Sequence, residues 1–325
     1  MTEPRSTSNS GRLGRSLLEV VPGAGLSGRI VTASSSGAPI LVCIHGGCFD
    51  HSYFDFPHSS FLAAAEEAGV CAVAVDRPGY GASPRPEEFF DFRQQAARID
   101  DAVAAIWSTA EIRATSPTGV VVVGHSIGSA VAISLAARQP SSWPLRGLLV
   151  SGIHERTPVG SLGAYPDIAD GARVELDDDD ARGLMLGPGG SYEQAASEAL
   201  PEFLRPLWID DFRGVTRTWP DEFRVLAPQV TCPVRIAVAG FDPLITPTVE
   251  ALGRSVSLFE SSPFREPVFI QGSGHCIDFH KVGGEFQRES IAFALKAGAS
   301  REVPWRGLSD ERDSRPETKE EVCCS

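Results

Sequence analysis

A chain of 325 residues, 42% hydrophobic and 22% charged, can bury a sizeable core without disulfide or metal support. It has 29 basic against 42 acidic residues, a formal net charge of −13, and no Lys/Arg cluster offsets that field locally. Nucleic acid is excluded as a partner on that ground, and no apolar window approaches the ~18 residues that a bilayer span requires.

In chain order, Met1–Ser16 is rich in Ser and Arg, lacks the apolar stretch of a secretory signal, and reads as a flexible arm. A hairpin is expected over about residues 17–33. Within it, Gly23-Ala24-Gly25-Leu26-Ser27-Gly28 matches a dinucleotide fingerprint in letters only. A fingerprint needs a strand before it and a helix after it, whereas Arg29–Ala33 reads as a strand, so no NAD or other cofactor is expected. From 39 to 152, short β-branched runs alternate with Ala-rich segments: Pro39–Ile44, Val70–Val75, Val120–Val123 and Gly147–Val150 against Phe61–Ala68, Phe92–Thr109 and Gly128–Arg138. Strands apolar on both faces, separated by helices, predict a parallel sheet of βαβ units.

Residues 153–230 contain no strand of that buried kind. They hold the run Asp177-Asp178-Asp179-Asp180, a Gly187-Pro188-Gly189-Gly190 turn, and Phe203, Trp208, Phe212, Trp219 and Phe223. A mostly helical insertion is expected here, with aromatics suited to a lid over a pocket. The four-Asp run reads as a solvated helix start, because it lacks the alternating oxygens and the Gly of a calcium loop. Two further strand-like runs, Val234–Ala239 and Val268–Ile270, and a helix over Gly284–Lys296 return the chain to the core, which comprises 17–152 and 231–298. From 299 to 325 a charged tail with Pro304 and Pro316 is too polar to order itself. Its Cys323-Cys324 pair does not fit a prenylation motif, since Val322 stands where the cysteine is required. The seven cysteines form no metal-binding pattern, and scattered free thiols point to a reducing, cytoplasmic setting.

The strongest chemical signal is Gly124-His125-Ser126-Ile127-Gly128, placed between the strand Val120–Val123 and the helix Ala130–Ala137. A Gly-x-Ser-x-Gly in that context is a nucleophile elbow: the serine sits on a tight strand-to-helix turn, and its neighbours two residues away must be small. The elbow puts Ser126 at the C-terminal edge of the sheet and turns the Ile127 N–H, at a helix N-terminus, toward an incoming carbonyl oxygen.

On these residues the chain resembles the α/β-hydrolases over about residues 17 to 298. The resemblance implies an α/β fold with a mainly parallel eight-stranded sheet flanked by helices, a helical lid inserted after strand six, and the order nucleophile, acid, histidine. It implies oxyanion donors from His45-Gly46-Gly47: Gly47 N–H beside Ile127 N–H, with Cys48 as the alternative register. Asp76-Arg77-Pro78-Gly79-Tyr80-Gly81 is similar to the loop after the family's fourth strand, which shapes the rim. Gly46, Cys48, Tyr80 and His125 are carried as candidate substrate contacts, although His125 adjoins the nucleophile and its side chain must point elsewhere. Of seven histidines, His275 in Gly272-Ser273-Gly274-His275 follows the last strand, the family's position for the base, and His280 reads as a surface or core histidine. Gly240-Phe241-Asp242 matches the family's acid position, with Glu155 and Asp278 as rivals.

The implied activity is acyl transfer on a small-molecule ester, thioester or lactone through Ser126, Asp242 and His275. Epoxide hydrolases and haloalkane dehalogenases of this fold use an aspartate nucleophile, which Ser126 argues against. The same three residues can serve carbon–carbon bond hydrolysis, cofactor-free haloperoxidase or lyase chemistry, or a non-catalytic ligand-binding role.

Overall fold

In a computed structural model the described residues are 16–18, 25–32, 36–86, 91–155 and 168–299. The expectations for the arm before Ser16, for the fingerprint residues Gly23 and Ala24, and for the tail beyond Ala299 fall outside them. β1 (Ser16–Leu18) and β2 (Gly28–Val31) form the expected hairpin, with Ser16 opposite Ile30. β3 (Ile40–Ile44), β4 (Ala72–Val75), β5 (Val120–His125) and β6 (Leu145–Ser151) follow, and nearly every residue in them is buried. β7 (Arg173–Val174) pairs with β8 (Leu207–Trp208) in a separate antiparallel ribbon. β9 (Val234–Ala239) and β10 (Arg265–Ile270) complete an eight-stranded sheet in the order β1-β2-β4-β3-β5-β6-β9-β10. β2 runs antiparallel to β1 and β4, and every other pair is parallel.

Helices cover the sheet because its strands are apolar on both faces. α1 (Phe61–Glu67) starts at Ser60, whose hydroxyl caps Ala63 N–H, and α2 (Phe92–Ser108) starts at a capping box between Asp91 and Gln94. The short α3 (Ala110–Ala114) extends α2. All eleven residues of α4 (Ile127–Ala137) are buried, since it lies between β5 and β6 on one side and α2 on the other.

Between β6 and β9 the chain forms α5 (Asp178–Met185), α6 (Gln194–Phe203), α7 (Ile209–Arg213) and α8 (Trp219–Leu226). Asp177 caps α5 by accepting from Asp179 and Asp180 N–H, and Asp178, Asp179 and Asp180 occupy the first turn, where carboxylates oppose the helix dipole favourably. The acidic run is therefore a helix start. α9 (Val249–Ser257), capped by Thr248, packs on β10, and α10 (Gly283–Ala299) packs on β6 and α1. No helix among the described residues is long and apolar enough to cross a membrane.

Candidate active site

Parallel strands bring their C-terminal ends to one edge, and the loops leaving β3, β5, β6, β9 and β10 meet there. The turn after β5 holds Ser126 at φ 54° and ψ −124°, a conformation that a residue with a side chain rarely adopts. Two features hold it. Ser126 N–H donates to the Ser151 carbonyl at 2.8 Å, and the neighbouring glycines let backbone close around it. A Cβ on Gly128 would lie 2.2 Å from the Ile44 oxygen and 2.4 Å from the His45 oxygen. The loop after β3 and the helix after β5 touch only because that carbon is missing.

His275 follows β10, and its Nδ1 lies 2.7 Å from Asp242 Oδ2; both residues are buried, at 2% exposure each. The carboxylate accepts the Nδ1 proton, which leaves the Nε2 lone pair available as a base. Asp242 is itself held, since its Oδ1 accepts from Leu244 N–H at 2.9 Å. The rival carboxylates face elsewhere. Asp278 accepts from Tyr53 and Gln287, and Glu155 lies near the Arg254 guanidinium at 3.5 Å. His280 is a core histidine that grips the loop before His275, its Nε2 accepting from Gly274 N–H at 3.0 Å.

Ser126 and His275 line one cavity of about 300 Å³, together with Gly47, Ile127 and Cys48. Its other walls are largely apolar: Ile153, Leu244 and Ile245 from the loops of the core, and Leu184, Leu207, Phe212 and Val215 from the segment between β6 and β9. Asp180 and Thr216 add polar atoms. A larger groove of about 740 Å³ lies between α1 and α10, but none of these residues reaches it. Chemistry rather than size therefore selects the smaller cavity.

The remaining candidates separate. Cys48 lines the cavity, but burial holds its thiol up at about 12, so it stays a neutral wall at physiological pH. Gly46 lies against Ser126, where an added Cβ would approach the serine Cβ to 3.0 Å, but it is not a cavity wall. Tyr80 and His125 are corrected as substrate contacts. Tyr80 is 1% exposed, and its hydroxyl donates to Asp211 Oδ2 at 2.7 Å, outside the cavity. His125 lies beneath the elbow, stacked on Tyr53 at 4.5 Å with Nδ1 3.0 Å from Ser151 Oγ. Burial, with His275 next in effect, pushes its pKa well below the usual 6.5.

Gly152 is a residue that sequence reasoning missed. It lines the cavity at φ +64°, and a Cβ there would meet His275 Cε1 at 2.9 Å and His125 Cε1 at 3.2 Å. Only glycine leaves space for the two imidazoles, whose ring centres are 4.9 Å apart.

Asp50, His51 and Asp76 bring potential metal-ligand atoms within 4.8 Å of one another. Their oxygens already serve other donors: Asp76 accepts from His51 and Ser27, and Asp50 from Arg205 and Ser52. The donor set fits an internal brace between loops rather than a cation.

The sequence model of the group described as the alpha/beta hydrolase family matches residues 41–281. Epoxide hydrolase A of Mycobacterium tuberculosis is 25% identical over 301 residues, which is 78% of this chain and 90% of that protein. Among solved structures, the monoacylglycerol lipase of Paleococcus ferrophilus aligns with a TM-score of 0.60 at 18% identity, covering 83% of this chain and 99% of the other. The N-acyl homoserine lactonase AidH, solved with N-butanoyl homoserine, aligns at 0.57 and 18% identity, covering 90% and 100%.

Proposed function

Because the chain belongs to the alpha/beta hydrolase family, we propose that it is a serine hydrolase cleaving a carboxylic ester, thioester or lactone through an acyl-enzyme on Ser126. The observation that carries this reading is the shared cavity of Ser126 and His275, with Asp242 bonded to the far side of the imidazole at 2.7 Å. Ser126 Oγ attacks the substrate carbonyl and its proton passes to His275 Nε2. Asp242 stabilises the resulting imidazolium. The carbonyl oxygen, now an anion, accepts from the N–H groups of Gly47 and Ile127. Collapse of the tetrahedral intermediate expels the alcohol or thiol, which takes the proton from His275. Water then gives its proton to the same nitrogen, attacks the acyl carbon and releases the acid, restoring the Ser126 hydroxyl.

The segment between β6 and β9 is the cap of this reading, since it supplies Leu184, Leu207, Phe212 and Val215 to the cavity wall. A volume of about 300 Å³ with those walls suits a small to medium apolar group on the substrate. The free state of Cys43, Cys48, Cys71, Cys232 and Cys276 supports action in a reducing compartment, with the cytoplasm as the setting.

A chain-length panel of p-nitrophenyl esters tests the reading. Native protein is expected to prefer short to medium acyl groups. Phe212→Ala is expected to raise kcat/KM for octanoyl relative to hexanoyl by about 10-fold, because room for two more methylenes is worth about 0.8 kcal/mol each. No turnover of any ester would contradict the reaction, and an unchanged length profile would contradict the cavity as acyl site.

A further inference from the structure

Arg77 carries a guanidinium that is fully buried. A buried charge is costly unless it is paired and its donors are used. Here the donors converge on the loop that follows β3. Nε donates to the His45 carbonyl at 3.0 Å, and Nη2 donates to the Gly46 carbonyl at 3.1 Å. Nη1 donates to Asp211 Oδ2 at 2.8 Å and to Gln95 Oε1 at 2.9 Å. Asp211 belongs to α7, in the segment between β6 and β9, and also accepts from Tyr80 Oη at 2.7 Å and from Gln95 Nε2 at 2.8 Å.

His45 completes the arrangement. Its Nε2 accepts from Arg77 N–H at 3.0 Å, so its proton sits on Nδ1, which lies 2.8 Å from the Gly46 oxygen. The Gly46 carbonyl therefore receives two donors.

A trans peptide unit is planar, with its C=O and N–H on opposite sides. Fixing the Gly46 oxygen against Arg77 turns the Gly47 N–H the other way, away from the guanidinium. Gly47 and Ser126 both line the cavity, and Arg77 is not among its walls. The unit lies between two glycines, so no side chain resists its rotation. Rotated, it would present a carbonyl oxygen where an oxyanion must form. Hydrogen bonding at the oxygen also polarises the N–H and strengthens it as a donor.

We propose that Arg77 is a positioning residue that clamps the Gly46–Gly47 peptide in its oxyanion-binding orientation, and that Asp211 anchors this clamp to the cap. The proposal rests on the serine-hydrolase reading given above. It makes cap docking and oxyanion-site assembly one event, since the carboxylate that neutralises Arg77 arrives with α7.

The test compares native protein with Arg77→Lys, which keeps the charge but loses the fork that spans two carbonyls, and with Asp211→Asn, which keeps the shape and loses the charge. Each is assayed for kcat and KM on one ester. Each is also assayed for affinity toward a trifluoromethyl ketone, which forms a tetrahedral oxyanion on serine, and toward an ether of the same shape, which does not. For Arg77→Lys, kcat and trifluoromethyl-ketone affinity are expected to fall together by about 10- to 100-fold, with KM and ether affinity within about 3-fold of native. Asp211→Asn is expected to show the same pattern at about 10-fold, and it decides the matter if the lysine variant does not fold. Unchanged kcat in folded variants, or equal loss of both ligands, overturns the proposal. Native protein that neither turns over the ester nor binds the ketone removes the reaction itself, whereas an active native protein matched by its variants removes only the clamp.

Discussion

Ser126→Ala is expected to lower kcat on a p-nitrophenyl ester by about 10⁴-fold or more. His275→Ala is expected to lose a similar factor, and Asp242→Asn somewhat less, because the last keeps a hydrogen-bonding side chain but favours the wrong imidazole tautomer. The losses are expected not to add. Once Ser126 is gone, His275 has no proton to receive from it, so the double variant Ser126→Ala/His275→Ala should fall no lower than about 10-fold below either single variant. Stability should barely move for the serine variant, since Ser126 is a partly exposed wall residue of the cavity rather than part of the packed core. Multiplicative losses in the double variant would show that the two side chains act separately.

Unfolding is expected to become easier as pH falls from 6.5 to 5.5. His45, His125, His154 and His280 are at most 5% exposed. Burial is the first cause in each case and lowers their pKa from the usual 6.5, to about 4 for His45 and His280, well below the usual value for His125, and downward for His154. Within this pH range the native protein keeps His45, His125 and His280 neutral while the unfolded chain takes up protons. The unfolded state then binds more protons, so stability declines as pH drops.

His45, His125 and His280 each contribute a loss of about 1 kcal/mol over that single unit, on the linkage slope of about 1.4 kcal/mol per proton, and His154 adds in the same direction. Two groups oppose them. His51 is raised despite its burial, through Asp76, so its stabilising contribution is complete below 6.5 and fades as pH rises through its folded value. Asp278 is raised by burial, so the native state gains relative to the unfolded one as pH falls toward 3.8. Asp50 and Asp76 are held low, against burial, by Ser52 and His51 respectively, and lose their contribution only below 3.8, outside the range.

The loss from His45, His125 and His280 is on the order of 3 kcal/mol before His51 and Asp278 offset part of it, a large share of an ordinary domain's stability. Urea unfolding at the two pH values measures it, and His280→Gln should reduce the difference by about 1 kcal/mol. Equal stability at both values would contradict the neutral, buried state of these imidazoles.

What the sequence discloses here is what local pattern encodes. The β-branched runs become β3, β4, β5, β6 and β9 with small shifts in their ends, and the Gly-x-Ser-x-Gly turn appears where the strand-helix context places it. The α/β-hydrolase fold is legible from those two patterns. Contacts between distant residues are not. Tyr80 follows β4 in a loop that reads as a rim, and nothing near it announces that its hydroxyl meets Asp211, 131 residues later. Arg77 reads as part of the same rim loop, and nothing near it announces that its guanidinium meets the carbonyls of His45 and Gly46. α9, nine residues long, also escaped notice, because a two-turn amphipathic segment after Pro247 gives little periodic signal. Gly152 has a faint one: a glycine directly after a buried strand, where a positive φ lets the chain turn beneath two imidazoles.

The most direct measurement is covalent labelling of folded native protein with a fluorophosphonate, followed by mass spectrometry of its peptides. One phosphonyl group on Ser126, absent from Ser126→Ala and strongly slowed in His275→Ala, is the expected result. A native protein that stays unlabelled, or carries the group on another side chain, would contradict the assignment of Ser126 as nucleophile.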